Sequence, residues 1–113
     1  MLVKFKAALA GVVYCLRTQI NMAVHLVATA AVIGAGLYFH VQPWEWAILA
    51  ITITMVLAAE AFNTAVEVTV NLYTRKYHPL ARVAKDVAAG AVLITALGAV
   101  AVAYIIFGPR LGL

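Results

Sequence analysis

The sequence has 113 residues, of which 66% are hydrophobic and 11% are charged, and its mean hydropathy is +1.04. A soluble domain of this length cannot bury so much apolar surface, so a soluble globular class is excluded and lipid must solvate much of the chain. The net charge of +4 does not indicate a nucleic-acid partner, because the basic residues flank apolar segments. A single cysteine, Cys15, excludes an internal disulfide. One membrane domain over residues 1–113 is expected.

The first predicted element is an amphipathic helix over residues 1–20. Its large apolar side chains fall on one stripe of a helical wheel: Leu2, Phe5, Leu9, Val12, Val13, Leu16 and Ile20. The basic and polar residues lie off that stripe, which favours a helix lying on the membrane surface. A signal peptide is the alternative, but Arg17 and Asn21 interrupt the apolar run and no small-residue cleavage site follows it.

Three long apolar spans come next. They cover residues 22–39, 47–70 and 87–107. Each reaches or exceeds the length needed to cross a hydrocarbon core of about 30 Å. Pro43 suits a helix start before the second span, and the His78-Pro79 step should end any helix that runs into it. We therefore predict an all-α integral membrane protein with one surface helix and three transmembrane helices.

The basic residues predict the orientation of these spans. One side of the three-span arrangement carries Lys4, Lys6, Arg17, Arg75, Lys76, Arg82 and Lys85. The other side carries only Arg110. The positive-inside rule therefore predicts a cytoplasmic N-terminus, a cytoplasmic 71–86 loop and an external C-terminus.

A polar stripe interrupts the second span. It consists of Glu60, Asn63, Thr64, Glu67 and Asn71, which share one side of a helix. An intramembrane carboxylate costs about 3 kcal/mol on insertion scales, and the spans contain no lysine or arginine to pair with it. One carboxylate could serve as a general base and the other as a Mg²⁺ ligand, with Asn63 orienting a neighbour. A polar contact surface between helices is the alternative interpretation.

A second polar group, Lys85-Asp86, lies where the 71–86 loop meets the third span. In one interpretation Asp86 is an N-cap and Lys85 an interfacial cation. In the other, Lys85 binds a phosphate beside the helix N-terminus, and the residues alone leave both open. The histidines lie far apart without metal-ligand spacing, and His25 is interpreted as a polar group near the start of the first span.

Three segments share their order and spacing with a known signature. They are Glu60-Ala-Phe-Asn63-Thr-Ala-Val-Glu67, His78-Pro79-Leu80-Ala81 and Ala84-Lys85-Asp86-Val-Ala-Ala-Gly90-Ala-Val92. On these residues the sequence resembles the small prokaryotic diacylglycerol kinase family, which includes the undecaprenol kinases of Gram-positive bacteria. The resemblance extends over nearly the whole chain.

The resemblance implies a lipid kinase that uses Mg²⁺ and transfers the γ-phosphate of ATP to the hydroxyl of undecaprenol or diacylglycerol. It also implies a homotrimer in the bacterial inner membrane, with composite active sites at the subunit interfaces. By position, Glu60 matches the general base and Asn63 its neighbour in the site. Glu67 matches a metal ligand, while Lys85 and Asp86 match the nucleotide-phosphate region, where Lys85 would offset developing charge.

Gln19 departs from the family pattern. Family members carry a glutamate near the end of the surface helix as a second metal ligand, and this chain has Gln19 there. Its amide oxygen is a weaker Mg²⁺ ligand than a carboxylate, because hard cations favour anionic oxygen. Two other functions therefore stay open. One is a small proton- or cation-coupled transporter that uses Glu60, and the other is a catalytically weakened family member with an assembly or lipid-binding role.

Overall fold

The computed structural model describes residues 1–113 and contains four α-helices and no strand. The helices are α1 (Leu2–Thr18), α2 (Ile20–Phe39), α3 (Pro43–Tyr73) and α4 (Pro79–Phe107), followed by a short 3₁₀ turn at Pro109–Leu111. The last three α-helices are each long and apolar enough to cross a membrane. The prediction of an all-α chain with three such helices is confirmed, whereas the surface location of α1 stays a prediction.

The helices α3 and α4 continue well beyond the apolar spans. At 31 residues, α3 is about 46 Å long, which exceeds a hydrocarbon core of about 30 Å. Pro43 is its first residue, as the sequence predicts, since a proline at N1 forfeits no helical hydrogen bond. One end of α3 therefore carries its polar residues to or beyond the edge of the apolar layer.

The N-cap of α4 is His78, so the interpretation of Asp86 as an N-cap is wrong. His78 has an extended backbone, and its Nδ1 accepts a hydrogen bond of 3.1 Å from the backbone N–H of Leu80. Pro79 then takes the first helical position, where its fixed φ suits the helix. Asp86 consequently lies inside α4, and the connection between α3 and α4 is confined to residues 74–78.

The most extensive helix packing joins α3 and α4. Near the α2–α3 connection, their ends share a small buried cluster formed by Val41, Leu49, Ile106 and Phe107. A partly buried ion pair lies beside it, in which Arg110 donates from Nη2 to Oε1 of Glu45 at 2.8 Å and from Nη1 to Oε2 at 2.9 Å. We call this pair the Glu45–Arg110 clasp. A guanidinium and a carboxylate that bond in this two-fold way fix the two helix ends against each other.

The turn from α2 into α3 depends on two local features. His40 ends α2 in the left-handed conformation, with φ 52° and ψ 52°, which lets the backbone N–H of Val41 reach the carbonyl of Gly36 at 3.2 Å. Gly36 in turn faces the ring of Trp46, and a Cβ at this glycine would come within 2.9 Å of Trp46 Cζ2. The absent side chain therefore allows α2 to approach the start of α3 closely.

Most of the apolar surface remains uncovered within one chain. Only 12 of 113 residues are buried, and large apolar side chains such as Leu37, Met55, Phe62 and Ile94 are exposed. Soluble monomers do not expose apolar surface on this scale. Lipid or further copies of the chain must cover these faces.

Candidate active site

The carboxylate of Glu60 is the most buried charged group of the chain. It lies on α3 with 2% of its surface exposed, in the part of the helix that the sequence identifies as a membrane span. A carboxylate without partners in such surroundings would cost several kcal/mol, so it requires a donor.

The donor is His25 on α2. Its Nε2 lies 3.0 Å from Oε1 of Glu60, and the two side chains are 21% and 3% exposed. His25 lies near the start of the first span, as the sequence indicates, but the sequence does not predict its contact with Glu60. The other carboxylate oxygen of Glu60, Oε2, forms no hydrogen bond with the protein.

His25 and Glu60 lie at similar depths in their predicted spans, and this similarity could have indicated their contact from the sequence. The α2–α3 connection joins the end of the first predicted span, Phe39, to the start of the second, Ala47. His25 lies 14 residues before Phe39, and Glu60 lies 13 residues after Ala47. At the helical rise, both side chains lie about 20 Å into their spans. Antiparallel neighbours that carry polar residues at equal depth favour a contact between those residues.

Thr64 and Asn63 follow Glu60 on α3. The Thr64 hydroxyl is buried and donates to the backbone carbonyl of Glu60 at 3.0 Å, so it stays within its own helix. The side chain of Asn63 has a fully enclosed Oδ1 that finds no donor in the chain. Buried acceptors are nearly always satisfied, so this oxygen is available to a bound molecule or a neighbouring subunit.

Glu67 lies two turns further along α3, about 10 Å from Glu60 along the helix axis. Its side chain is half-buried and forms no ion pair. Gln19 is the extended residue that separates α1 from α2, with φ −115° and ψ 111°, and it is also half-buried. No group of three or more His, Cys, Asp or Glu side chains in this chain is arranged to hold a metal ion.

The start of α4 meets the end of α3 at Lys85 and Asn71. Lys85 donates from Nζ to Oδ1 of Asn71 at 2.8 Å in a partly buried contact. Asp86, one residue on, points elsewhere and pairs with Arg82 at 3.2 Å, with both side chains more than 60% exposed. The structure thus separates the two members of the Lys85-Asp86 group.

An apolar cavity of about 860 Å³ lies between α1, α2 and α3. The side of α1 that lines it includes the small residues Ala8, Gly11 and Cys15. On α3 the lining includes Thr64, the residue bonded to the carbonyl of Glu60. The cavity therefore runs past the level of the buried carboxylate, since Ala58 and Ala61 on either side of Glu60 also line it. Its volume and mostly apolar walls fit part of a hydrocarbon chain.

These groups form a line along α3. The apolar cavity runs beside α3 from Leu57 to Thr69, a stretch that includes Glu60 and Glu67, and the Asn71–Lys85 contact comes next. A buried carboxylate with one free oxygen can accept a proton. A lysine ammonium at a helix end can attract an anion such as a phosphate. The arrangement can bring an apolar molecule with a hydroxyl and a water-soluble anion together.

Comparisons with known proteins give matches over most of the chain. Residues 6–107 match the sequence profile of the prokaryotic diacylglycerol kinase family. The chain is 43% identical over 112 residues to a diacylglycerol kinase of Synechocystis sp., an alignment that covers 98% of this chain and 64% of that protein. It is 41% identical over 95 residues to an undecaprenol kinase of Bacillus subtilis, covering 84% of this chain and 77% of that protein. The chain thus spans about two thirds of the first relative.

Proposed function

Because this chain belongs to the prokaryotic diacylglycerol kinase family, we propose that it is a multi-pass membrane lipid kinase. It transfers the γ-phosphate of ATP to the hydroxyl of a membrane lipid, either undecaprenol or diacylglycerol. The named relatives support both acceptors, since one is a diacylglycerol kinase and the other an undecaprenol kinase. The lining of the cavity is mostly apolar, which suits the hydrocarbon chain of either lipid.

One observation carries this proposal: an apolar cavity runs along α3 from Leu57 to Thr69, past the buried carboxylate of Glu60, and its lining comes within two residues of Asn71, the partner of Lys85. A lipid whose chain occupies the cavity would bring its hydroxyl towards Glu60. A nucleotide approaching from the water would meet Lys85 first. Phosphoryl transfer mainly requires positioning and neutralisation of charge, which these groups can supply.

The mechanism follows from the free oxygen of the carboxylate. The lipid hydroxyl oxygen attacks the γ-phosphorus of ATP and its proton passes to Oε2 of Glu60, which becomes a carboxylic acid. The bond from the γ-phosphorus to the bridging oxygen breaks, and ADP leaves with that oxygen. Lys85 offsets the charge that develops on the phosphate oxygens. Asn63 uses its unpartnered Oδ1 to orient a neighbouring group in the site.

Magnesium would be held by oxygen atoms at the α3–α4 end of the site. Glu67 fits this role, because its half-buried carboxylate has no cationic partner in the chain. Gln19 can add only a neutral amide oxygen. Mg²⁺ bound with nucleotides keeps several waters and takes the phosphates as ligands, so one carboxylate can be sufficient. When bound, the ion would neutralise charge on the phosphates.

We further propose that the active unit is a homotrimer in the bacterial inner membrane, with cytoplasmic Lys85 and an external C-terminus. The asymmetric distribution of basic residues supports this orientation. The exposed apolar side chains and the unpartnered Asn63 and Glu67 support a site that a neighbouring subunit completes. In this chain the Asp86 carboxylate is paired with Arg82. Asp86 could contact the nucleotide only after this exposed ion pair separates.

The test uses purified protein in lipid nanodiscs, with labelled ATP, Mg²⁺ and either undecaprenol or diacylglycerol. We expect a phosphorylated lipid that requires Mg²⁺ and is lost in Glu60→Gln, because the amide cannot accept the proton. Arg82→Gln, which removes an exposed ion pair, serves as the control and should retain activity. Proton-coupled flux of a solute without ATP turnover would instead support a transporter. Absence of turnover at any Mg²⁺ concentration would support a member that has lost catalysis.

A further inference from the structure

The contact between His25 and Glu60 has consequences beyond the assignment of Glu60 as the base. It is the only hydrogen bond between side chains of α2 and α3, and it joins residues 35 positions apart in sequence. The carboxylate side chain is 3% exposed, whereas the imidazole is 21% exposed. The pair therefore has an enclosed member and a member that reaches the edge of the protein.

The direction of this hydrogen bond follows from the chemistry of the two groups. With Glu60 in the ionised form that a general base needs, the carboxylate can only accept, and Nε2 of His25 is then the donor to Oε1. The remaining ring nitrogen, Nδ1, forms no hydrogen bond with the protein, so a neutral imidazole satisfies the contact in a single tautomer. This bond leaves Oε2 as the only carboxylate oxygen free to take up a proton.

We infer that His25 is a positioning residue for Glu60, an inference that rests on the proposed lipid kinase function. Its Nε2 holds Oε1 of the buried carboxylate at 3.0 Å and so directs Oε2 towards the lipid hydroxyl. A catalytic group contributes most when it is held in the geometry that the reaction needs. Without the imidazole, the Glu60 side chain would turn away from the hydroxyl more often, and the base would be less available.

Two substitutions distinguish this positioning role of His25 from a purely structural role. Gln in place of His25 keeps an amide N–H that can reach Glu60, while Leu fills the space without a donor. We expect His25→Leu to lower kcat by roughly 100-fold, as loss of general-base assistance does, with little change in the KM for ATP. His25→Gln should retain kcat within about threefold of the parent protein, because the donor is restored.

Thr29→Val provides the matched control on α2. The Thr29 hydroxyl bonds only to the backbone carbonyl of His25, so its loss leaves the imidazole in place and kcat unchanged. Thermal unfolding of each variant shows whether it folds. Equal activity of His25→Leu and the parent would overturn the inference. So would a folded but inactive His25→Gln, because the donor alone would then be insufficient.

A measurement that needs no turnover keeps this inference separate from the proposed function. In ¹⁵N NMR of the parent protein, we expect the His25 ring to show a protonated Nε2 and an unprotonated Nδ1, with the signal assigned by its loss in His25→Gln. Glu60→Gln should shift this signal, and Thr29→Val should not. A parent protein without kinase activity would contradict the proposed function alone. A His25 signal indifferent to Glu60→Gln would contradict the pair itself.

Discussion

Lys85 on α4 donates a 2.8 Å hydrogen bond to the side-chain oxygen of Asn71 on α3. The partner is neutral, so the bond fixes the direction of the lysine without cancelling its charge. An aspartate in the same place would both hold and neutralise the ammonium. Lys85 is therefore presented as an ordered cation, which is the state in which it can attract a phosphate.

Removing the charge of Lys85 should lower the rate of phosphoryl transfer. We expect Lys85→Met to reduce kcat/KM for ATP by about 100-fold, comparable with the loss of one donor to a developing anion. Steady-state kinetics with variable ATP would measure this. The exposed cation Lys76, one turn before α4, offers the comparison, and Lys76→Met should change kcat/KM less than about twofold. A similar loss in both variants would indicate a general effect of net charge.

Removing the acceptor should affect nucleotide binding more than catalysis. Asn71→Ala leaves Lys85 charged but removes the hydrogen bond that orders its side chain. The conformational entropy lost when Lys85 becomes ordered would then oppose ATP binding. We expect the KM for ATP to rise roughly tenfold, in proportion to one hydrogen bond to a charged group, with a smaller change in kcat. A drop confined to kcat would be inconsistent with this role of Asn71.

Glu67 and Gln19 can be tested through the requirement for magnesium. Glu67→Gln should raise the Mg²⁺ concentration needed for half-maximal activity at least tenfold, since even outer-shell partners of a metal are worth about that much. Titration of Mg²⁺ at saturating ATP would measure it. An unchanged Mg²⁺ requirement would remove Glu67 from the set of ligands.

The reverse change at the α1–α2 junction should ease that requirement. Gln19→Glu supplies the second carboxylate that the resemblance leads one to expect, and an anionic oxygen binds a hard cation more tightly than an amide. We expect half-maximal activity at a lower Mg²⁺ concentration and no increase in thermal stability without Mg²⁺. If the requirement rises instead, Gln19 lies outside the reach of the ion.

Gly36 offers a stability prediction that does not depend on function. A Cβ there would collide with the Trp46 ring, so Gly36→Ala should destabilise the protein by about 1–3 kcal/mol, the usual cost of overpacking. Gly34, two residues away on the same helix, has no atom near its would-be Cβ, and Gly34→Ala should be neutral or slightly stabilising. Denaturation of both variants in the same detergent would measure the difference.

The sequence predicts the helices of this protein better than its contacts. The lengths of the apolar runs identify the three spanning helices, and Pro43 correctly predicts where α3 begins. α3 extends past its predicted apolar span at both ends and α4 does so at its start, because polar residues can continue a helix beyond an apolar run. Asp86 is misjudged because the proline seven residues before it already starts α4.

The sequence likewise predicts only part of the arrangement around the polar stripe. The shared side of Glu60, Asn63 and Glu67 follows from helical periodicity alone, which is a local property. The contact of Glu60 with His25 depends on the tertiary structure, since His25 comes from another helix. A search for cationic partners that considers only lysine and arginine does not find this histidine. The pairing of Lys85 with Asn71 rather than with its neighbour Asp86 depends on the tight turn between α3 and α4.

The Glu45–Arg110 clasp and the Asn71–Lys85 contact lie at opposite ends of the same helical hairpin. Together they fasten α3 to α4 at both ends, whereas α2 has a single side-chain hydrogen bond to α3 and α1 covers a cavity. Stability should therefore be uneven along the chain. We expect the amides of α3 and α4 to exchange with solvent deuterium more slowly than those of α1. We also expect lipid to enter and leave the cavity by displacement of α1, while α3 and α4 stay packed together.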